Sequence, residues 1–273
     1  MTTDSSPNRP EYGTQVLFKR METRLSWDDL VLAPEVMDEV QLICEWMKHG
    51  RQLLANGSLS QQHQPGYRVL FYGLPGTGKT LTASLIAKAA GVDIYRVDMS
   101  EVISKYTDET EKNLNFIFDQ ATAHNWVLFF DQSDALFCKR TTVSEAHDRY
   151  TNQAIAYLQQ RIEDFAGLTI LSSNMPGNSD DVYTLRLQST VYFPMPDAQQ
   201  RLRLWQSMLG ENKLASDVIL KDLSEIVPLA GGDIVNVIRH AALHATKSGR
   251  SEIGLSELNT ALCKFLGVEG RTL

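Results

Sequence analysis

Cysteine is scarce in this chain, and its three copies, Cys44, Cys138 and Cys263, lie far apart. Such spacing builds neither a disulfide framework nor a zinc knuckle and fits a reducing compartment, so a cytoplasmic location is expected. Long apolar runs are missing too. None approaches the roughly 20 residues needed to cross a bilayer, and no membrane partner is expected. Met1 to Arg20 is polar and lacks the apolar centre of a secretory signal. Basic runs are equally absent. Lys and Arg number 26 against 33 Asp and Glu, a formal net charge of −7, which argues against general nucleic-acid binding. What is present is an ordinary globular composition, 43% hydrophobic and 22% charged over 273 residues. That is enough for one large domain or two smaller ones.

The first 25 or so residues, rich in Thr, Ser, Asn and Pro, read as a flexible leader. Val36, Val40, Ile43 and Met47 recur at helical spacing, and a polar connector runs from Asn56 to Gly66. Apolar runs then alternate with helical patterns. Strands are expected at Arg68–Tyr72, Val92–Val97, Trp126–Phe130, Leu168–Ser172 and Val191–Phe193. Helices are expected at Leu81–Ala90, Glu109–His124 and Tyr150–Phe165. This alternation predicts an α/β fold with a parallel sheet covered on both faces. After Pro194 and Pro196 the pattern is helical only, giving an expected α/β domain over 26–196 and a small all-helical domain over 197–273.

The sharpest motif is Gly73-Leu-Pro-Gly-Thr-Gly78-Lys79-Thr80, a complete G-x-x-x-x-G-K-[ST] placed between a strand and a helix. Glycines let successive backbone N–H groups turn inward around phosphates, and the following helix N-terminus favours anions. Pro75, Gly76, Thr77, Gly78 and Leu81 complete the cradle. Lys79 offers a point charge to the β- and γ-phosphates, and the Thr80 hydroxyl is a ligand for Mg²⁺. ATP or ADP with Mg²⁺ is the cofactor this pattern calls for. A second element, Asp131-Gln132-Ser133-Asp134, ends the apolar run Trp126–Phe130. Asp131 stands where a carboxylate holds Mg²⁺ through its water shell. The next residue in phosphate-hydrolysing enzymes is usually a carboxylate that polarises the attacking water. Here it is Gln132, whose amide can bond a water but cannot take its proton.

With these motifs the chain resembles the AAA+ ATPases from Trp27 to Leu273. The resemblance implies a P-loop AAA+ module, with a five-stranded parallel sheet sandwiched by helices and a helical lid. It implies a homo-oligomeric ring, usually a hexamer, acting on a polypeptide partner. Ile170-Leu-Ser-Ser-Asn174 is similar to the sensor-1 strand, which makes Asn174 a contact for the γ-phosphate or the attacking water. Arg186, eleven residues before Asp197, matches the arginine finger that reaches a neighbouring subunit's site. Gly231-Gly232-Asp233-Ile234 resembles the start of the lid helix, and Asp28 and Leu30 match residues that contact adenine. Tyr106 matches the pore aromatic that grips substrate, although Asp108 stands where a glycine usually follows. The stretches 66–72, 104–114 and 160–165 look most like ATPases of phage-tail-like contractile injection systems. Gln132 is compatible with a natural chain that binds ATP and cycles slowly, or with a Glu-to-Gln exchange that traps ATP. Further departures, such as Cys138 where relatives often have Gly, favour the first.

Other constellations carry less. His240 and His244 lie one helical turn apart, but no Glu follows His240 and no third ligand is evident, so they read as helix-face residues. His147-Asp148-Arg149 are contiguous, and contiguous residues on a helix do not face one another.

Overall fold

The structure is a computed structural model that describes residues 18–55, 66–99, 102, 108–137, 146–174, 186–209 and 213–266. The chain divides into two compact units. One gathers the described residues up to Arg24 with Glu39–Tyr72 and Ala83–Val191; the other gathers Leu25–Asp38, Gly73–Thr82 and the residues from Tyr192 onward.

The first unit is built on a six-stranded sheet. Its strands are β1 (Phe18–Met21), β2 (Tyr67–Tyr72), β3 (Ile94–Asp98), β4 (Val127–Asp131), β5 (Leu168–Ser173) and β6 (Ser189–Tyr192). Their spatial order is β1-β3-β4-β5-β2-β6. The pairs β3–β4, β4–β5 and β2–β5 are parallel. Strand β4 reads Val-Leu-Phe-Phe-Asp, and its four apolar residues are fully buried, as a central strand with both faces covered requires. Helices α1 (Pro34–Ala55), α2 (Lys79–Ala90), α3 (Asp108–His124) and α4 (Ala146–Asp164) separate these strands. Leu114, Ile117, Phe118 and Ala121 of α3 and Leu158 and Ile162 of α4 join Leu70, Leu128, Phe130 and Leu171 in one apolar cluster. Those side chains recur at three- and four-residue spacing, the stripe by which a helix covers a sheet.

The sheet departs from the expected all-parallel five strands at one edge. Phe18–Met21, within the stretch read as a leader, pairs antiparallel with β3, Phe18 opposite Val97 and Met21 opposite Ile94. Only Phe18 of the four is buried, so no apolar alternation announced the strand. Its exposed Lys19 and Arg20 suit an edge, where charge discourages further pairing. Arg20 donates to Asp93 at 2.7 Å, and that bond raises the Arg20 pKa above its ordinary value.

The second unit carries α5 (Ala198–Leu209), α6 (Leu220–Ile226), α7 (Gly231–Lys247) and α8 (Leu255–Leu266). It is not wholly helical. A two-residue parallel ladder joins β7 (Lys213–Leu214) to β8 (Glu252–Ile253), too short to show as an apolar run. Leu204, Trp205, Leu223, Ile234, Val237, Ile238, Ala241, Leu258 and Leu262 form its core. Among the described residues no helix is long and apolar enough to cross a membrane.

Trp205 is 1% exposed, and its Nε1 finds no hydrogen-bond partner among the described residues. Trp205→Ala is expected to cost about 3–5 kcal/mol in denaturant unfolding, the usual loss for a large buried aromatic. Trp205→Phe removes the unpartnered donor and should cost far less. Equal costs for the two substitutions would show that packing volume does not dominate at this position.

Candidate functional site

The glycine loop and the start of α7 are built together in the second unit. Strand β2 ends at Tyr72 and α2 begins at Lys79, so the chain must turn from strand to helix within the six residues Gly73–Gly78. Gly73 has φ +141°, and a Cβ there would sit 2.2 Å from the Phe193 carbonyl oxygen. Gly76 has φ +77°, and a Cβ there would meet the Ala230 Cβ at 3.2 Å and the Gly232 nitrogen at 3.3 Å. Only glycine satisfies both the backbone angle and the space. The Gly232 N–H donates to the Gly76 carbonyl at 3.0 Å, so the first turn of α7 is tied to the loop. Asp233 caps that turn by accepting from the Ala230 N–H at 3.1 Å.

Lys79 is 6% exposed, and its Nζ donates to the Gly73 and Leu74 carbonyls at 2.7 and 2.9 Å. The Thr77 hydroxyl donates to the Leu74 carbonyl at 2.8 Å. Thr80 and Leu81 lie in the first turn of α2, and Pro75 is exposed on the loop. A buried ammonium on the loop's own carbonyls, inward-turned glycines and a helix N-terminus are the donor set that polyphosphate requires. These residues fit a nucleotide's phosphates. Leu30 is buried close to Gly78, within 3.3 Å of where a Cβ would stand there, whereas Asp28 is exposed in the 3₁₀ turn Trp27–Asp29.

The acidic strand end belongs to the sheet unit. Tyr72 of β2 lies opposite Ser173 of β5, Phe130 of β4 opposite Leu171, and Asp98 of β3 opposite Asp131. These ends share one edge of the sheet, where open α/β sheets bind ligands. One Asp131 oxygen, Oδ1, accepts from the Gln132 N–H at 3.0 Å, and the other, Oδ2, pairs with Arg96 Nη2 at 2.8 Å. Gln132 is exposed with φ 54° and ψ 43°, the left-handed region that side chains seldom occupy outside turns. The Ser133 hydroxyl donates to the Ser172 carbonyl at 2.9 Å, anchoring the turn beyond Gln132 to β5. Ser173 donates to the Asp134 carboxylate, which therefore has a structural partner of its own.

Asn174 is exposed immediately after β5. Arg186 is also exposed, with φ 45°. Two residues on, Gln188 grips β2 at two points. Its side-chain oxygen accepts from the Arg68 N–H at 2.7 Å, and its own N–H donates to the Arg68 carbonyl at 2.9 Å. Arg68 is wholly buried and donates to the Glu163 carbonyl at 2.9 Å; burial pushes its pKa down, Glu163 opposes that, and nearby Arg186 adds to it. Tyr106 lies outside the described residues.

Motif reading assigned no role to Arg96, Ser133, Ser173 or Gln188. Arg96 carried one usable sign, because it lies two residues before Asp98 on a strand and so shares its face. Among the described residues no group of three His, Cys, Asp or Glu side chains could hold a metal.

Residues 69–195 match the AAA family, described as the ATPase family associated with various cellular activities. The chain is 28% identical over 250 residues to the A-like 1 form of the katanin p60 ATPase-containing subunit from Papio anubis, covering 86% of this chain and 49% of that protein. The human protein of the same name is 28% identical over 239 residues, covering 82% of this chain and 47% of its own. The ATPase family gene 2 protein of Schizosaccharomyces pombe is 35% identical over 189 residues, 67% of this chain and 23% of that protein. The matched region belongs to the AAA family of ATPases. The chain spans about half the length of its katanin relatives and less than a quarter of the yeast protein.

Gly73→Ala forces a side chain into a left-handed angle and against a backbone carbonyl. The angle alone costs about 1–3 kcal/mol, so the thermal midpoint should fall by several degrees. An unchanged midpoint would mean that the turn does not need its present path.

Proposed function

We propose that this chain binds ATP with Mg²⁺, assembles into a ring and couples the nucleotide to remodelling of a polypeptide partner. The supporting observation is the loop Gly73–Thr80, with its buried Lys79 and its backbone bond from Gly232. Lys79 exchanges its loop carbonyls for phosphate oxygens, and the helix N-terminus at Thr80 stabilises their charge. The Thr80 hydroxyl and the Asp131 carboxylate are the residues that would hold Mg²⁺. When bound, that ion supplies charge neutralisation at the phosphates. Asn174 orients the attacking water, and Arg186 is donated to a neighbouring copy. The helical lid over 197–273 with its nucleotide contact Gly232, the adenine contacts Asp28 and Leu30, the pore aromatic Tyr106 and a cytoplasmic hexamer belong to the same reading. Its narrower form, an ATPase of a contractile injection system, rests on the sequence stretches alone.

Turnover is a separate matter from binding. Gln132 keeps the volume of a glutamate and loses the proton acceptor, so hydrolysis is weakened while ATP is retained. A second reading, a ring scaffold in which ATP is a structural ligand, draws on the same residue. Asp134 offers little relief, because its carboxylate already receives the Ser173 hydroxyl.

Lys79→Ala should weaken ATP binding roughly tenfold to a hundredfold, the loss of charge-assisted bonds. Gln132→Glu should raise steady-state phosphate release by on the order of 10²-fold or more at assembling concentrations. If that variant is no faster than the parent, the weakened-motor reading gives way to the scaffold. Family-typical turnover by the parent would refute the role assigned to Gln132.

A further inference from the structure

The side chain of Arg96 stands near two carboxylates at the carboxyl ends of β3 and β4. Its Nη2 lies 2.8 Å from Asp131 Oδ2 and 3.7 Å from Asp98 Oδ2. Both contacts use the same nitrogen, and Nε is buried with no hydrogen-bond partner among the described residues. Arginine binds carboxylate most firmly through a two-nitrogen fork, which is not used here. The pair is therefore poised rather than locked, with one nitrogen placed close to both carboxylates.

We propose that Arg96 is a positioning residue for Asp131 that sets how much divalent cation nucleotide binding requires. In the cation-free state it neutralises Asp131, and when the cation arrives it transfers to Asp98. This rests on the reading that Asp131 serves Mg²⁺. A guanidinium held on Asp131 opposes a doubly charged ion in its vicinity, since like charges a few ångströms apart repel appreciably even with partial screening. Moving to Asp98 would keep Arg96 paired and would release Asp131 Oδ2 to help hold the cation. Oδ1 stays oriented throughout by the Gln132 N–H. The strand register explains why two carboxylates serve one arginine, because Asp98 and Asp131 are directly opposed on neighbouring parallel strands.

The test is a Mg²⁺ titration of fluorescent ATP-analogue binding to the full chain. Arg96→Gln should lower the half-saturating Mg²⁺ concentration by roughly tenfold, while affinity in EDTA should not rise. Asp98→Asn should raise it about threefold or more by stranding Arg96 on Asp131. In the double variant the Asp98 effect should vanish, because the two residues act through each other. Arg96→Lys keeps the charge and should restore most of the parent's midpoint, separating charge from a folding defect. An Arg96→Gln midpoint within about twofold of the parent's, or an equal Asp98→Asn shift in both backgrounds, would overturn the relay while leaving the binding reading intact. A parent whose binding ignores Mg²⁺ would overturn both.

Discussion

A parallel strand that delivers its chain to a helix in six residues leaves little choice of path, and much else follows from that turn. Gly73 passes so close to the Phe193 carbonyl that no side chain fits, and Gly76 combines a left-handed angle with tight contacts to Ala230 and Gly232. The turn thereby delivers the chain directly to the N-terminus of α2. Lys79 has its ammonium drawn back onto the loop's own carbonyls rather than left to solvent. Phosphate recognition is thus a by-product of how backbone is folded, with one side chain adding charge. The hydrogen bond from Gly232 extends the constraint to α7, so a shift in the loop is felt at a helix terminus.

The strand-end carboxylate obeys a different constraint. A carboxylate with partial exposure at a sheet edge needs donors, and Asp131 has one on each oxygen. The donor on Oδ1 is the Gln132 N–H, so the backbone there orients Asp131 whatever side chain residue 132 bears. Exchanging Glu for Gln leaves this bond intact. The side chain at position 132 can change while this backbone support for the Asp131 carboxylate does not.

Much of the fold was legible because its elements carry clean periods. The buried run Val127–Phe130, the alternation of strands and helices, and the helical pattern after Pro196 each map onto observed elements. What escaped was short or unpatterned. β1 has one buried residue in four, and the β7–β8 ladder has two residues a side, so neither leaves a period to detect. In the site, the loop and Asp131 were legible because phosphate chemistry restricts residue types at fixed spacing. Arg96 and Gln188 were not, because their roles depend on strand register and strand order. Arg96 reaches Asp131 only because β3 lies beside β4, and Gln188 reaches Arg68 only because β6 lies beside β2.

Gln188 adds a last step concerning Arg186. An arginine offered to another molecule must be exposed, and an exposed long side chain has many rotamers to lose on engagement. Rigidity then has to come from the backbone. Here the two-point grip of Gln188 on β2 fixes the chain two residues beyond Arg186, and β2 is held along its length by β5. Arg186 itself takes a left-handed angle, which costs on the order of 1–3 kcal/mol and persists only where neighbouring structure enforces it. The segment combines a strained residue, an anchored successor and an exposed charge, so it presents Arg186 outward without leaving its backbone free. The same strand, β2, ends where Gly73 begins the phosphate loop. The backbone beside Arg186 is thus fastened on one buried strand, at its wholly buried Arg68.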